Sequence, residues 1–145
     1  MSARLPNIVL NLIAGIDVVD NFAFIARDGV TVCNCYVTVC TAALGCPIPP
    51  MLANKQHAWM LSNEGMLAGW MHVDSETARQ RAALGYPTVA SWLNPEGHGH
   101  IAMCVPPPSG DARMHVSAAG HQNFVRAPIE KSFGLGKNIA FFTHE

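Results

Sequence analysis

The apolar positions of the N-terminal segment recur at the spacing of an α-helix. Within residues 7–26 they lie three to four positions apart, at Ile8, Leu12, Ile16, Val19 and Ala23. Because a helix of 3.6 residues per turn brings such positions onto one face, we expect one or two apolar helices here. Residues 27–29 then predict a turn, since aspartate and glycine favour tight turns.

A second helical pattern begins at Cys33, directly after an extended segment at residues 30–32. Its apolar positions share one face and are Tyr36, Val37, Cys40 and Leu44. Gly45 predicts the end of this helix, and the prolines at positions 47, 49 and 50 prevent its continuation. The sequence therefore predicts that Cys33 stands at a helix N-terminus.

Two shorter helices are predicted from capping residues. Asn54 is expected to cap a helix that runs through Trp59, and Asp74 a helix over residues 76–84 that Gly85 closes. Asparagine and aspartate favour these positions because their side chains accept hydrogen bonds from first-turn N–H groups.

Strand patterns dominate the C-terminal half. We predict strands at residues 88–92, 100–105, 114–119 and 139–143, with a turn at 94–97 and a proline-rich loop at 106–111. The apolar run at 100–105 is nearly continuous, which is typical of a strand buried on both faces. Helices followed by strands predict an α+β fold, with N-terminal helices packed on a C-terminal antiparallel sheet in one domain over residues 1–145.

Composition narrows the function classes. Half of the 145 residues are hydrophobic and 13% are charged, which is enough apolar material for a core without metal or disulfides. The formal net charge is −1 and the basic residues are scattered, so we expect no nucleic-acid partner. We find no secretory signal and no apolar run of the roughly 20 residues of a membrane span. We therefore expect synthesis in the cytoplasm and no membrane insertion. We also expect a monomer.

The cysteines and histidines supply the candidate chemistry. Five cysteines without a secretory signal indicate thiols rather than a disulfide framework. Cys33 differs from the others because a helix N-terminus and a nearby imidazole both lower a thiol pKa. His100 heads the buried strand and is the candidate base, whereas its rival His98 is expected in the turn. Ser117 is expected opposite His100 as the third, orienting group, with His121 and Asn123 as alternatives.

The same residues resemble the NlpC-type and CHAP-type peptidoglycan hydrolases. The resemblance covers residues 28–144 and is carried by Cys33 with Tyr36-Val37, Ala43-Leu44-Gly45, Pro47-Ile48-Pro49 and Gly99-His100-Ile101-Ala102. The variants that the chain resembles most are small phage endolysins and the amidase effectors of type VI secretion. Residues 92–95, 118–120, 123–124 and 141–144 also resemble phage-type members.

The resemblance implies a papain-like α+β fold, with Cys33 as nucleophile, His100 as base and no metal or cofactor. Its implied substrate is an amide bond in the peptide stem of bacterial peptidoglycan, cut in the periplasm or cell wall after holin release or secretion. Two departures stand out. Cys35 follows the nucleophile where small residues are common, so it is a rival nucleophile, and Ser117 occupies the third catalytic position.

Several alternatives remain open at this point. The chain is expected to be a phage endolysin, but it can also be a secreted amidase effector with an immunity protein as partner. A protein-directed thiol hydrolase of the same fold is a second enzyme class. A metal-binding module and a non-catalytic structural relative are the remaining classes, although Cys33 with Cys35 and His98 with His100 are too close for usual zinc spacing.

Overall fold

A six-stranded antiparallel sheet organises the fold in the computed structural model, which describes residues 5–145. The strands are β1 (Met71–Val73), β2 (Thr88–Trp92), β3 (His100–Val105), β4 (His115–Ala118), β5 (Phe124–Pro128) and β6 (Ala140–Thr143). The α-helices are α1 (Pro6–Ile16), α2 (Cys33–Ala43), α3 (Ala53–Leu61), α4 (Asn63–Leu67), α5 (Ser75–Ala83) and α6 (Ile129–Phe133). A short 3₁₀ helix spans Phe22–Phe24.

The strand order is β1-β6-β2-β3-β4-β5, so β3 lies inside the sheet between β2 and β4. The predicted α+β class is confirmed, and the bounds predicted for β2 and β3 are those observed. Helices and strands are less strictly separated along the chain than expected. β1 precedes α5, and α6 lies between β5 and β6.

Both faces of β3 are covered by helices. Ile101, Met103 and Val105 belong to the core that α1, α2 and α3 share. Ala102 and Cys104 belong to a second core with residues of α5 and α6. Side chains alternate between the faces of a strand, so His100 shares the face of Ala102 and Cys104. The imidazole of His100 therefore lies on the side of the sheet that α5 and α6 cover.

The helix α2 begins at Cys33, as predicted, and packs on β3. Its predicted apolar face is confirmed, with Tyr36, Val37 and Cys40 fully buried. Gly45 follows the helix in the left-handed region at φ 82°, which ends the helix as expected.

Two helix predictions need correction. In α1 the buried residues are Val9 and Ile13, while Ile8 is 53% exposed. The predicted face of α1, which contains Ile8, and the buried face, which contains Val9 and Ile13, are both apolar. Helical spacing alone therefore did not show which of the two faces is buried. Asn54 does not cap α3, which begins one residue earlier, at Ala53. The cap predicted at Asp74 is confirmed, since its carboxylate accepts a hydrogen bond from the Thr77 N–H at 2.7 Å.

Four elements were missed: β1, β5, α4 and α6. β1 and β5 are the edge strands of the sheet, and both carry exposed residues. β1 has three residues, and α4 and α6 have five each. Such segments are too short for the periodicity of a strand or a helix to be recognised in the sequence. Within residues 5–145, none of the helices is both long and apolar enough to cross a membrane.

Candidate active site

Cys33 stands at the first turn of α2, against the start of β3. The residue is 5% exposed. Burial is the largest influence on its thiol and raises the pKa, while hydrogen bonds from the backbone N–H groups of Ile101 and Asn34 lower it. The raised pKa means that the resting residue is a thiol, which needs a base before it can attack a carbonyl.

The rival Cys35 is exposed on α2, and the structure keeps it as a free thiol. Cys40 and Cys104 are buried free thiols whose pKa burial raises, that of Cys40 to about 12. Positions two apart on a helix point in different directions, so Cys35 does not share the surroundings of Cys33.

Two cavities meet at the start of β3. The thiol cavity, of about 440 Å³, is lined by residues that include Cys33, Asn34, Leu52 and Lys55. The imidazole cavity, of about 420 Å³, is lined by residues that include Trp92, His100, Lys131 and Lys137. The residues common to both are Thr31, His98, Gly99 and His121. The thiol and the imidazole therefore open into adjoining but different cavities.

The ring of His100 points toward α6. Its Nε2 lies 2.8 Å from the Ser132 hydroxyl, and the ring packs edge-on against Phe133 with centroids 4.6 Å apart. Burial lowers the pKa of His100 to about 4, helped by the charge of Lys137 and by His121. The imidazole is therefore neutral at neutral pH and can accept a proton.

The prediction that Ser117 lies opposite His100 is wrong. Its partner across the sheet is Met103, which places it on the face that meets α2. Its hydroxyl lies 2.6 Å from the Tyr36 hydroxyl and donates to the Phe124 carbonyl at 3.1 Å. These contacts link α2 to β4 in the core. Neither of them involves His100, so the orienting role of Ser117 stays a prediction.

The alternative third residues have different surroundings. The Asn123 side chain accepts a hydrogen bond from the Gly120 N–H and donates to the carbonyls of Val18 and Phe24. It therefore holds loops together. His121 is exposed where the two cavities meet.

Two positioning contacts escaped sequence reasoning. Ser132 lies on α6, a five-residue helix that the sequence pattern did not predict. The contact between Ser132 and His100 was therefore not predicted either. The side chain of Asn54 donates to the carbonyls of Asn94 and Gly97 at 2.8 and 2.9 Å and accepts from the Asn94 N–H. This Asn54 clasp holds the loop before β3 against α3.

The low pKa of His100 predicts a loss of stability in mild acid. Between pH 6.5 and 4 the unfolded chain binds a proton at this histidine while the folded chain does not, so the free energy of unfolding decreases as pH falls. We expect this residue to contribute a loss of about 2–3 kcal/mol over that range. Urea unfolding of the wild type and His100→Gln at several pH values measures the difference. Parallel pH profiles would contradict the buried, neutral assignment.

Comparison with protein-family models and with curated protein sequences finds no match for this chain. Among residues 5–145, no group of three or more histidine, cysteine, aspartate or glutamate side chains is arranged to hold a metal ion. The function must therefore be inferred from the thiol, the imidazole and the cavities beside them.

Proposed function

We propose that this chain is a papain-like cysteine hydrolase that cleaves an amide bond in the stem peptide of bacterial peptidoglycan. The observation that carries the proposal is the position of Cys33, in the first turn of a helix packed on the internal strand that His100 begins. A helix start stabilises a thiolate through its dipole and offers backbone N–H groups to a developing oxyanion.

The base of the proposed reaction is His100. Its imidazole contacts Ser132 in the resting structure, so catalysis requires the ring to leave α6 and turn toward Cys33. Moving out of its buried position brings the pKa back toward its ordinary value, where a histidine is an effective base. The neighbouring Ile101 N–H already bonds the Cys33 sulfur, so the start of β3 is beside the nucleophile.

The proposed steps follow from these roles. The imidazole takes the proton of the Cys33 thiol, and the thiolate forms a C–S bond with the amide carbonyl carbon. Backbone N–H groups at the start of α2 hold the oxyanion. The imidazolium gives its proton to the leaving amine as the C–N bond breaks. Water, deprotonated by the imidazole, then hydrolyses the thioester and restores the thiol.

The biological setting proposed for this activity is the bacterial cell wall, reached as a phage endolysin. A holin gene beside the coding sequence would support that setting. A neighbouring immunity gene would instead support a secreted amidase effector acting on the same bond type.

The test is digestion of purified Gram-negative peptidoglycan, with the products identified by mass spectrometry. We expect new pairs of fragments whose masses sum to that of their parent plus one water, and the identity of each pair locates the amide bond that was cut. Absence of any fragment, from protein with a native circular dichroism spectrum, would overturn the proposal and favour a protein substrate or a non-catalytic role.

A further inference from the structure

The charges around the two cavities are strongly one-sided. All three lysines of the chain line them, Lys55 in the thiol cavity and Lys131 and Lys137 in the imidazole cavity. No aspartate or glutamate is among the described residues that line either cavity. Yet the chain has ten acidic residues and a net charge of −1. The basic character is therefore a local property of the cavities.

Lys137 is exposed, but two contacts position its ammonium. Its ammonium donates to the Phe133 carbonyl at 2.6 Å and lies 4.8 Å from the centroid of the Trp92 ring. An ammonium has three N–H donors, and the carbonyl takes one of them. A fixed cation beside an aromatic wall presents a defined position to an anionic group.

The charge of Lys137 also acts inside the imidazole cavity, since it is one of the causes that lower the pKa of His100. The neighbouring walls add neutral polar groups, from Gln122 and Ser132. Lys131 supplies a second cation on α6. Two cations, polar side chains and an aromatic ring form a suitable site for a carboxylate.

We propose that the imidazole cavity is a carboxylate-binding subsite, which selects acidic peptides and sets their register on Cys33. The inference rests on the proposed hydrolase function. Because the two cavities join across Thr31, His98, Gly99 and His121, a peptide whose carboxylate binds Lys137 places a nearby amide in the thiol cavity. Stem peptides of the cell wall carry such carboxylates, and an uncharged peptide does not.

The experiment uses the full chain carrying Cys33→Ala, so that no peptide is cleaved. Calorimetric titration compares a synthetic stem tetrapeptide bearing its free carboxylates with the same peptide amidated at every carboxyl. We expect the amidated peptide to bind at least about 10-fold more weakly. Lys137→Met should weaken the binding of the acidic peptide by a similar factor and leave the affinity for the amidated peptide unchanged.

Arg79→Gln is the matched charge control, because Arg79 pairs with Glu76 on an exposed face of α5, outside both cavities. It should change the affinity of neither peptide. Equal affinity of the two peptides, an equal effect of Lys137→Met on both, or no binding of either would overturn the subsite. Digestion by the wild type tests the hydrolase separately, so continued cleavage without carboxylate preference would reject the subsite alone.

Discussion

Cys33→Ala is expected to lower the rate of peptidoglycan digestion by at least about 10³-fold, because the proposed covalent step has no other nucleophile at that position. The fold should persist, since the change removes one buried sulfur and leaves the helix backbone intact. We expect a loss of no more than about 1.5 kcal/mol in the free energy of unfolding. Fragment release measured by chromatography, together with thermal unfolding, tests both parts.

Cys35→Ala is the matched control, two residues away on the same helix and exposed. It should keep its activity within about two-fold of the wild type, as surface substitutions generally have small effects. If Cys35→Ala is inactive and Cys33→Ala is active, the nucleophile is Cys35 and the proposed site is wrong.

The base assignment has a parallel control. His100→Ala should match Cys33→Ala in its loss of activity, whereas His121→Ala should retain digestion. The reverse result would transfer the base to His121, which already lines the thiol cavity.

Gly99→Ala is expected to destabilise the fold by about 2–3 kcal/mol and to reduce digestion as well. A Cβ at this position would lie 2.5 Å from the Trp92 carbonyl oxygen and closer still to the Asn54 side-chain oxygen. The carbonyl belongs to the backbone of β2 and cannot rotate away, so the start of β3 must shift. His100 is the next residue and shifts with it. Denaturant unfolding and fragment release measure the two effects.

Gly97→Ala lies in the same loop and serves as the control. Its added Cβ would meet only the Asn94 amide nitrogen, at 3.4 Å, which is an ordinary contact. We expect a change within about 0.5 kcal/mol. A Gly99→Ala variant as stable as Gly97→Ala would show that the close approach of α3, β2 and β3 at this point is not needed for the fold.

The elements that bear the candidate residues were the easiest to predict. α2 has an apolar face and is closed by Gly45, and β3 is an unbroken apolar run, so their starts at Cys33 and His100 were visible in the sequence. The edge strands were not, because β1 has only three residues and both β1 and β5 are partly exposed.

The direction of His100 was beyond sequence reasoning for a physical reason. Alternation shows that His100 shares a face with Ala102 and Cys104, but both faces of β3 are apolar and buried. The sequence of β3 therefore has no alternating polar positions that would show which face of the strand packs against α2. Ser117 was misplaced relative to His100 for a related reason, since the register between β3 and β4 pairs it with Met103.

The Asn54 clasp makes the site sensitive to the chemical ageing of a single amide. Deamidation of Asn54 would replace its NH₂ donors with a carboxylate oxygen facing the carbonyls of Asn94 and Gly97. Two hydrogen bonds would become two repulsive contacts between acceptors. The loop before β3 would then lose its attachment to α3, so a stored sample would lose the geometry around His100 while the core remained folded.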